Sequence, residues 1–385
     1  MDFVTDNIIK GRPYPALAVH QARPYTQAWR EFGQHWPHTT PAELFAHMDD
    51  HGIEYQLHTD GAGYYVIGLG FFDFAIDYFG LIKPDILQAV QQGSVTVLFY
   101  YHEGDNPYHI KQRLDALCAQ HHLCTSCYRF VSGNTVADSI PGFAYFPDHE
   151  LLYWRRNHAV PAVEPHVEYR PHDFVVLSRT HKWWRASVMA DMHQRGILKY
   201  SMWSYNTNLI LGDSPEDNPI ERLPGVDIPA FMRKGPYTCD VLSAADHNNH
   251  AIIESRHFTD AYFNIVLETH FDADGSGGAF LTEKTFKAIK HAQPFVIIGC
   301  AGSLATLRSL GYRTFDHAID NSYDLETNNT QRWLKARSAI QQIQRDNPHE
   351  LYKQCWADIF HNQQLFLANK AQRLNTLFTK LQSYD

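Results

Sequence analysis

Short apolar runs alternate with helical segments through most of this chain of 385 residues. In the first half, three runs rich in β-branched and aromatic residues have strand character: Tyr64–Gly70, Ser94–Tyr101 and Tyr128–Val131. Helix-like segments at Ile86–Gln92 and from about Pro107 to His122 lie between them. Alternating strands and helices form parallel sheets, because parallel strands need a long crossover connection. We therefore expect an α/β domain here.

The same alternation begins again after Pro171. Four further runs have strand character: Asp173–Ser178, Leu198–Ser204, Phe263–Glu268 and Phe295–Ile298. The stretch from Pro147 to Pro171 is less regular and rich in proline, which predicts a linker. Because a chain of this length exceeds what one core usually supports, we predict two domains. Their predicted bounds are residues 1–160 and 171–325, with C-terminal helices over residues 326–385. The lead-in up to about residue 50 is predicted to be irregular except for one short helix at Pro41–Asp50.

Composition excludes several classes of protein. The hydrophobic share of 44% and the aromatic share of 14% are enough for globular cores. A net charge of −9 argues against a generally basic surface for nucleic acid, although a local basic groove stays open. The first residues lack a signal-peptide pattern, and no run approaches the roughly 18 apolar residues of a membrane span. We expect a cytoplasmic protein without a membrane span.

The cysteines and histidines do not form a recognisable metal motif. Cys124 and Cys127 make a lone CxxC beside His121 and His122, but a structural zinc site normally needs a second ligand pair. The 24 histidines are scattered, with no HExxH spacing. We therefore predict free thiols and histidines in surface or packing roles, and no metal.

The segment Ala279–Gly302 carries the most specific chemical pattern. Thr282 is a good N-cap and Glu283 suits a first helical turn, so a helix is predicted to start here, just after a strand edge. In parallel α/β sheets ligands bind beyond the carboxyl ends of strands, and helix N-termini attract phosphate. Lys284 could add a positive charge for a diphosphate, and Glu283 could accept hydrogen bonds from ribose hydroxyls. Ordinary helix capping is the structural alternative.

A second turn follows the strand Phe295–Ile298, at Gly299–Ser303. Its small residues would let the backbone approach a ligand closely. The turn is neither a GxGxxG nor a GxxxxGK[ST] loop, which argues against dinucleotide-dependent dehydrogenases and P-loop enzymes. Here too, ordinary capping of a helix is the structural alternative.

Two sequence stretches together resemble the donor-binding signature of the α-1,3/1,4-fucosyltransferase family: FNIVLETHF (Phe263–Phe271) and FLTEKTFKAIKHAQPFVIIG (Phe280–Gly299). The resemblance covers roughly residues 171–325, less than half of the chain. It implies a GT-B glycosyltransferase, in which two Rossmann-like domains face a cleft and the C-terminal one holds a nucleotide-sugar. The implied transfer is inverting and metal-independent, with no cofactor besides the nucleotide-sugar co-substrate. A GDP-linked donor is implied if the resemblance extends to the base pocket.

Carried over by position, the resemblance assigns roles to residues around the predicted helix start. Phe280 matches the family's aromatic residue against the nucleotide, Glu283 its ribose-binding carboxylate and Lys284 its phosphate-binding lysine. Glu268 matches the glutamate at the strand end. Thr269 replaces the family's usual Asn, so the contact made at this position is expected to differ.

Further donor-site candidates lie before and after this segment. Arg179, Lys182 and Arg185 follow the strand Asp173–Ser178, where the family has basic residues that could neutralise a leaving diphosphate. A solvated helix start is the alternative for each of the three. Gly299 corresponds to the glycine that closes the family's apolar strand.

The proposed transfer needs a general base, which in the resembled family comes from the N-terminal domain. Glu103 is the best candidate because it directly follows a buried strand, and Asp105 is the second. Asp73 and Asp77 are further candidates, although their spacing of four also fits one face of a helix. Turn or capping roles are the alternative for these carboxylates.

Three other interpretations stay open. Asp272 and Asp274 form a DxD pattern, which in GT-A glycosyltransferases holds a divalent metal, although acidic residues are also common in glycine-rich turns. The acceptor could be a glycan or another hydroxyl compound, or a modified base in DNA, as for some viral GT-B enzymes. The chain could also be a non-catalytic module that binds a nucleotide-sugar.

Overall fold

The computed structural model describes residues 1–4, 41–58, 61–70, 72–178, 180–207, 215–238, 256–272 and 275–384. The chain forms two compact units. The first consists of Met1–Arg155, Asp274–Ser276 and Asn369–Asp385, and the second of Arg156–Ala273 and Gly277–Ala368. Each unit contains one parallel sheet with helices, which confirms the expected α/β class with two Rossmann-like sheets.

The first unit is built on a six-stranded sheet with the order β2-β1-β3-β4-β5-β6. Its strands are β1 (Asp2–Val4), β2 (Gln56–His58), β3 (Gly63–Leu69), β4 (Val95–Tyr101), β5 (Tyr128–Ser132) and β6 (Phe143–Tyr145). The helices between them are α1 (Pro41–His51), α2 (Pro84–Gln91) and α3 (Pro107–Gln120), and α4 (Asp148–Asn157) follows β6. All paired strands are parallel, and β3 pairs with β4 along its whole length.

Both faces of this sheet are buried, which explains why its central strands are almost continuously apolar in sequence. In β4, Val97 and Phe99 belong to the core on one face, and Leu98 and Tyr100 to the core on the other. Parallel sheets need such double cover because their crossover helices pack on both faces. The alternation predicted for this half of the chain is therefore confirmed.

The second unit is built on a four-stranded parallel sheet with the order β10-β9-β7-β8. Its strands are β7 (His172–Ser178), β8 (Ser201–Tyr205), β9 (Ala261–Leu267) and β10 (Phe295–Ile298). Its helices are α5 (Trp183–Gln194), α6 (Ile228–Lys234), α7 (Arg256–Thr259), α8 (Glu283–Lys290), α9 (Ser303–Ser309), α10 (Asn329–Arg345), α11 (Pro348–Gln354) and α12 (Trp356–Leu367). The central strands β7 and β9 thus end at the edge where the predicted donor residues begin.

The C-terminal helices belong to both units, whereas the sequence-based prediction places residues 326–385 in one segment. Helices α10 to α12 belong to the second unit, and the Trp333 indole of α10 donates to Asp191 of α5 at 3.0 Å. The last helix, α13 (Ala371–Gln382), packs in the first unit because its apolar face, including Leu374 and Phe378, joins the core of the first sheet.

Two further segments differ from the expectation. The predicted linker Pro147–Pro171 begins with helix α4, and its irregular part is residues 158–171. The predicted irregular lead-in contains β1, which pairs with β2 and β3. The short helix predicted within it is confirmed as α1, and residues 5–40 lie outside the described residues. In the described ranges, no helix is both long and apolar enough to cross a membrane.

Candidate functional site

A buried carboxylate joins the end of β9 to the start of α8. Glu268 directly follows β9 and has no exposed surface. Its carboxylate accepts hydrogen bonds from the Thr282 N–H at 3.1 Å and from the Thr282 and Thr285 hydroxyls, each at 2.5 Å. The Thr269 N–H adds a fourth bond at 3.1 Å. Glu268 therefore fixes the position of the helix start. Glu268 would affect a bound donor through the position of this helix start.

Thr282 is the N-cap residue of α8, as its sequence position predicts, but its hydroxyl does not cap the helix. An N-cap hydroxyl usually accepts from an N–H of the first turn, whereas the Thr282 hydroxyl donates to Glu268. The Thr282 N–H is also committed to Glu268. Both polar groups of Thr282 are therefore used inside the protein.

Two half-buried lysines meet at Thr269, directly after Glu268. The Lys182 ammonium donates to the Thr269 carbonyl at 2.8 Å, and the Lys284 ammonium donates to the Thr269 hydroxyl at 3.0 Å. Lys284 also donates to the Thr282 hydroxyl at 3.1 Å and to Glu283 at 2.9 Å. The structure thus brings two cations from distant segments to the carboxyl edge of the second sheet, where parallel α/β sheets bind ligands.

Glu283 lies in the first turn of α8 and pairs with Lys284. Its side chain is 11% exposed and lies beside the side chain of Lys284, which is 30% exposed. A ligand that carries both hydroxyls and phosphates would meet an acceptor and a cation next to each other here.

Arg185 has a different environment from the two lysines. It is 3% exposed, and its guanidinium donates to the backbone carbonyls of Thr180, at 3.1 Å, and of Leu267 and Glu268 at the end of β9. These bonds connect the loop after β7 to the end of β9. Direct contact with a donor stays a prediction for Arg185, and Arg179 lies outside the described residues.

Phe280 and Gly299 are both enclosed by the fold. Phe280 is 1% exposed, and its ring centroid lies 5.4 Å from that of His270. A Cβ added at Gly299 would lie 3.1 Å from the Glu268 Cβ, so a small residue is needed here to make room for Glu268. The small residue at position 299 is thus explained by the close approach of its backbone to Glu268. Contact of Phe280 or Gly299 with a nucleotide stays a prediction.

Two buried charged residues stabilise the second turn, and no local sequence pattern points to either of them. Asp324 accepts from the N–H groups of Leu304 and Ala305 at 2.8 and 3.0 Å, which caps α9 with an internal carboxylate. Burial raises the pKa of Asp324 against the opposing effect of these donors. The Arg332 guanidinium donates to the Gly299 carbonyl at 3.0 Å. Since an internal anion already occupies the start of α9, we place no phosphate there.

The DxD and CxxC patterns, which the sequence offers as possible metal sites, have few polar partners in the structure. Asp272 accepts from the Asn329 side chain at 3.3 Å, and Asp274 lies outside the described residues. Cys124 is exposed and Cys127 is buried, with its Sγ 3.8 Å from Cys118 Sγ. Within the described ranges, neither cysteine belongs to a group of side chains arranged to hold a metal.

In the first unit, Glu103 and Asp105 both follow the end of β4. The Glu103 side chain is 20% exposed, and its Oε1 lies 3.4 Å from His102 Nε2. Asp105 is half-buried and accepts a hydrogen bond from the Tyr101 hydroxyl. Burial and the negative charges of Asp105 and Glu103 raise the pKa of Tyr101 well above its usual value. Tyr101 therefore keeps its proton and holds Asp105 in place.

Asp73 and Asp77 have capping partners of the kind that turns provide. Asp73 is buried and accepts from the Ala75 N–H at 2.8 Å. Asp77 accepts from the Gly80 N–H at 3.0 Å and contacts His121 Nε2 at 2.8 Å. The two residues lie on either side of a turn at residues 74–75 and are not on a helix. A base role for either stays a prediction that this geometry does not favour.

Comparisons with known proteins give only remote likenesses. No protein-family model matches the chain, and no curated protein matches it. One similar solved structure is that of the DNA-modifying enzyme β-glucosyltransferase, in the presence and absence of its substrate uridine diphosphoglucose. It is 10% identical to this chain, the match covers 95% of this chain and 97% of that chain, and the TM-score is 0.31. Another is a T4 phage BGT mutant in complex with UDP-glucose, with 10% identity, 85% and 94% coverage and a TM-score of 0.28. Likenesses this remote do not identify the activity of this chain.

Proposed function

We propose that this chain is a glycosyltransferase that takes a sugar from a nucleotide-sugar bound to its second unit. The observation that carries the proposal is the convergence of the Lys182 and Lys284 ammonium groups on Thr269, at the carboxyl edge of the sheet. Two partly buried cations are suited to the two charges of a nucleotide diphosphate, because charge interactions are stronger away from bulk water. The same cations would stabilise the diphosphate as it leaves.

The proposed orientation follows from the neighbours of Lys284. The diphosphate lies against Lys284 and Lys182, and the ribose hydroxyls donate to Glu283, whose carboxylate is next along the helix turn. Phosphate oxygens would replace one of the three hydrogen bonds that the Lys284 ammonium makes inside the protein. The resemblance to the fucosyltransferase signature implies a GDP-linked sugar if it extends to the base pocket.

A thermal-shift screen over UDP-, GDP-, CMP- and dTDP-sugars tests this proposal, because a ligand that binds only the folded state raises its stability. We expect one nucleotide to stabilise the protein far more than the other three. Stabilisation by a UDP-sugar would retain the function and correct the GDP assignment. A screen in which no nucleotide-sugar raises the melting temperature would refute the donor site.

The acceptor hydroxyl is proposed to lose its proton to one of the two carboxylates after β4, Glu103 or Asp105, in an inverting transfer. We propose a glycan or another hydroxyl compound as the acceptor, and a modified base in DNA as the alternative. A gel shift with modified DNA that weakens as salt increases would favour the DNA acceptor. Donor hydrolysis or transfer separates an enzyme from a binding module, which would bind the nucleotide-sugar and leave it intact.

Replacing Lys284 by alanine is expected to weaken donor binding by about tenfold to over a hundredfold. The variant removes one charge-assisted contact to the diphosphate, worth roughly 1.5–3 kcal/mol. Alanine is well tolerated in a first helical turn, so the melting temperature without ligand should fall only by what the three internal hydrogen bonds of Lys284 contribute. Isothermal titration with the nucleotide-sugar measures the loss, and Lys353→Ala, an exposed lysine of α11, is the matched control. If the affinity of Lys284→Ala for the nucleotide-sugar were unchanged, the donor would not bind at this helix start.

Chelation of metal ions is expected to leave donor binding unchanged. The lysine ammonium groups supply the positive charge that a divalent metal supplies in metal-dependent transferases. The dissociation constant of the nucleotide-sugar, measured with and without EDTA, should agree within error. If EDTA abolished binding and Mn²⁺ or Mg²⁺ restored it, Asp272 and Asp274 would become the metal ligands of the donor site.

A further inference from the structure

Three side chains with metal-binding atoms meet at the carboxyl edge of the first sheet. His102 and Glu103 directly follow β4, and His149 lies in the first turn of α4, which follows β6. One ligand atom from each side chain lies within 4.8 Å of the other two. Because β4 and β6 are parallel strands on either side of β5, their carboxyl ends open on the same edge. The cluster thus lies where parallel α/β sheets bind ligands.

The two histidines are buried and the glutamate is partly accessible. His102 is 4% exposed and His149 is 6% exposed, whereas the Glu103 side chain is 20% exposed. Histidines in the interior are usually explained by packing or by a single hydrogen bond. Here two of them lie edge to face, with ring centroids 5.4 Å apart, and a carboxylate reaches the same place. Such an arrangement combines two buried imidazoles with one partly exposed carboxylate.

A second carboxylate adds negative charge beside this cluster. Asp148 precedes His149, is 2% exposed, and accepts hydrogen bonds through Oδ1 from His47 Nε2, at 3.1 Å, and from the Tyr100 hydroxyl. Its Oδ2 has no hydrogen-bond partner among the described residues. A buried carboxylate with one oxygen unused among the described residues favours a cation nearby.

We propose that His102, Glu103 and His149 bind a divalent transition-metal ion of the zinc class. Two imidazole nitrogens and one carboxylate oxygen form a ligand set that zinc sites use, with a fourth position left for water or a substrate atom. Magnesium and calcium prefer all-oxygen sets, so the two histidines select against them. Tetrahedral zinc places its ligand atoms roughly 3.3 Å apart, so the widest separation here would close by at most about 1.5 Å.

Metal binding would change the role of Glu103. A carboxylate bound to zinc has its charge committed to the metal, so it is a poor general base. The base for the proposed transfer would then be Asp105, which the Tyr101 hydroxyl holds in place. The metal site itself does not depend on the proposed function, because its ligands lie in the first unit and the donor residues in the second.

Zinc content of the full chain tests the site directly. The protein is stripped with a chelator, incubated with micromolar zinc, passed through a gel-filtration column and analysed by elemental mass spectrometry. We expect about one zinc ion per chain, and His102→Gln and His149→Gln should each weaken binding by at least about tenfold, since even outer-shell changes cost 10–100-fold. His109→Gln is the matched control because His109 is exposed on α3 and is not a member of the cluster. It should retain zinc like the parent.

Cobalt provides a second measurement on the same proteins. Co²⁺ in a site of low coordination number gives strong visible absorption, which should appear with the parent and with His109→Gln and be lost in the two ligand variants. Circular dichroism of the metal-free proteins separates loss of ligands from loss of fold, and Glu103→Gln offers a milder ligand change if a histidine variant unfolds. Absence of zinc from the folded parent, or equal zinc retention in all folded variants, would overturn the proposal.

Discussion

Replacing Glu268 by alanine is expected to destabilise the second unit by about 3–5 kcal/mol, because four donors lose their acceptor and each unsatisfied donor costs roughly 1 kcal/mol or more. The substitution leaves the hydroxyls of Thr282 and Thr285 and the N–H groups of Thr269 and Thr282 without their common acceptor. No water can reach this position easily, because Glu268 is fully buried. For a unit of this size, the loss corresponds to roughly 6–20 °C in melting temperature.

Calorimetry without any ligand measures this effect, and Glu221→Ala is the matched control. Glu221 belongs to the same unit, and it is exposed at the surface. Its replacement should change the melting temperature by no more than a degree or two, in line with surface substitutions generally. A Glu268→Ala variant that melts like the parent but binds the nucleotide-sugar weakly would instead make Glu268 a direct donor ligand.

The sequence predicts those strands that are long enough to carry a pattern. The strands β3, β4 and β5 and the four strands of the second sheet all have four or more residues, whereas β1, β2 and β6 have three each. A strand of three residues is too short to distinguish from a loop by its composition. Its place in the sheet is decided by partners far along the chain, as when Asp2 pairs with Gln56.

The helix start at Thr282 could be predicted because its signal is local. A cap residue, an acidic first turn and a preceding strand all lie within about twenty residues of sequence, which is the range over which helix-start signals can be recognised. The partners of that helix start could not be predicted in the same way. Lys182 reaches Thr269 across 87 residues, and Arg332 reaches Gly299 across 33. Such contacts depend on how the strands are ordered in the sheet, which local periodicity does not encode.

The histidine cluster shows the same limit more clearly. Metal motifs are recognised in sequence by short spacings, such as two ligands within one helical turn. His102 and His149 are separated by 47 residues and come from different connections of the sheet. The spacing of the histidines alone predicts surface and packing roles for them. Only the parallel order of β4, β5 and β6 brings these side chains together.

Replacing one of the two carboxylates after β4 is expected to lower turnover by at least about a hundredfold while donor affinity stays nearly unchanged. This pattern is typical of a lost general base, since proton transfer contributes roughly 10²–10⁴-fold and the donor contacts are untouched. Steady-state kinetics and donor titrations on Glu103→Gln and Asp105→Asn, both close in size to the native side chains, identify the residue. A turnover loss confined to Glu103→Gln would assign the base to Glu103.

The zinc measurement makes the choice between the two carboxylates specific. If Glu103 is a metal ligand, Asp105→Asn should lose turnover and keep its zinc, because Asp105 is held by Tyr101 and lies outside the cluster of metal-binding side chains. Glu103→Gln should lose zinc, and any loss of turnover should then be matched by His102→Gln and His149→Gln. Near-parental turnover in both carboxylate variants, with donor hydrolysis also unchanged, would exclude both residues as the base and return that role to Asp73 or Asp77.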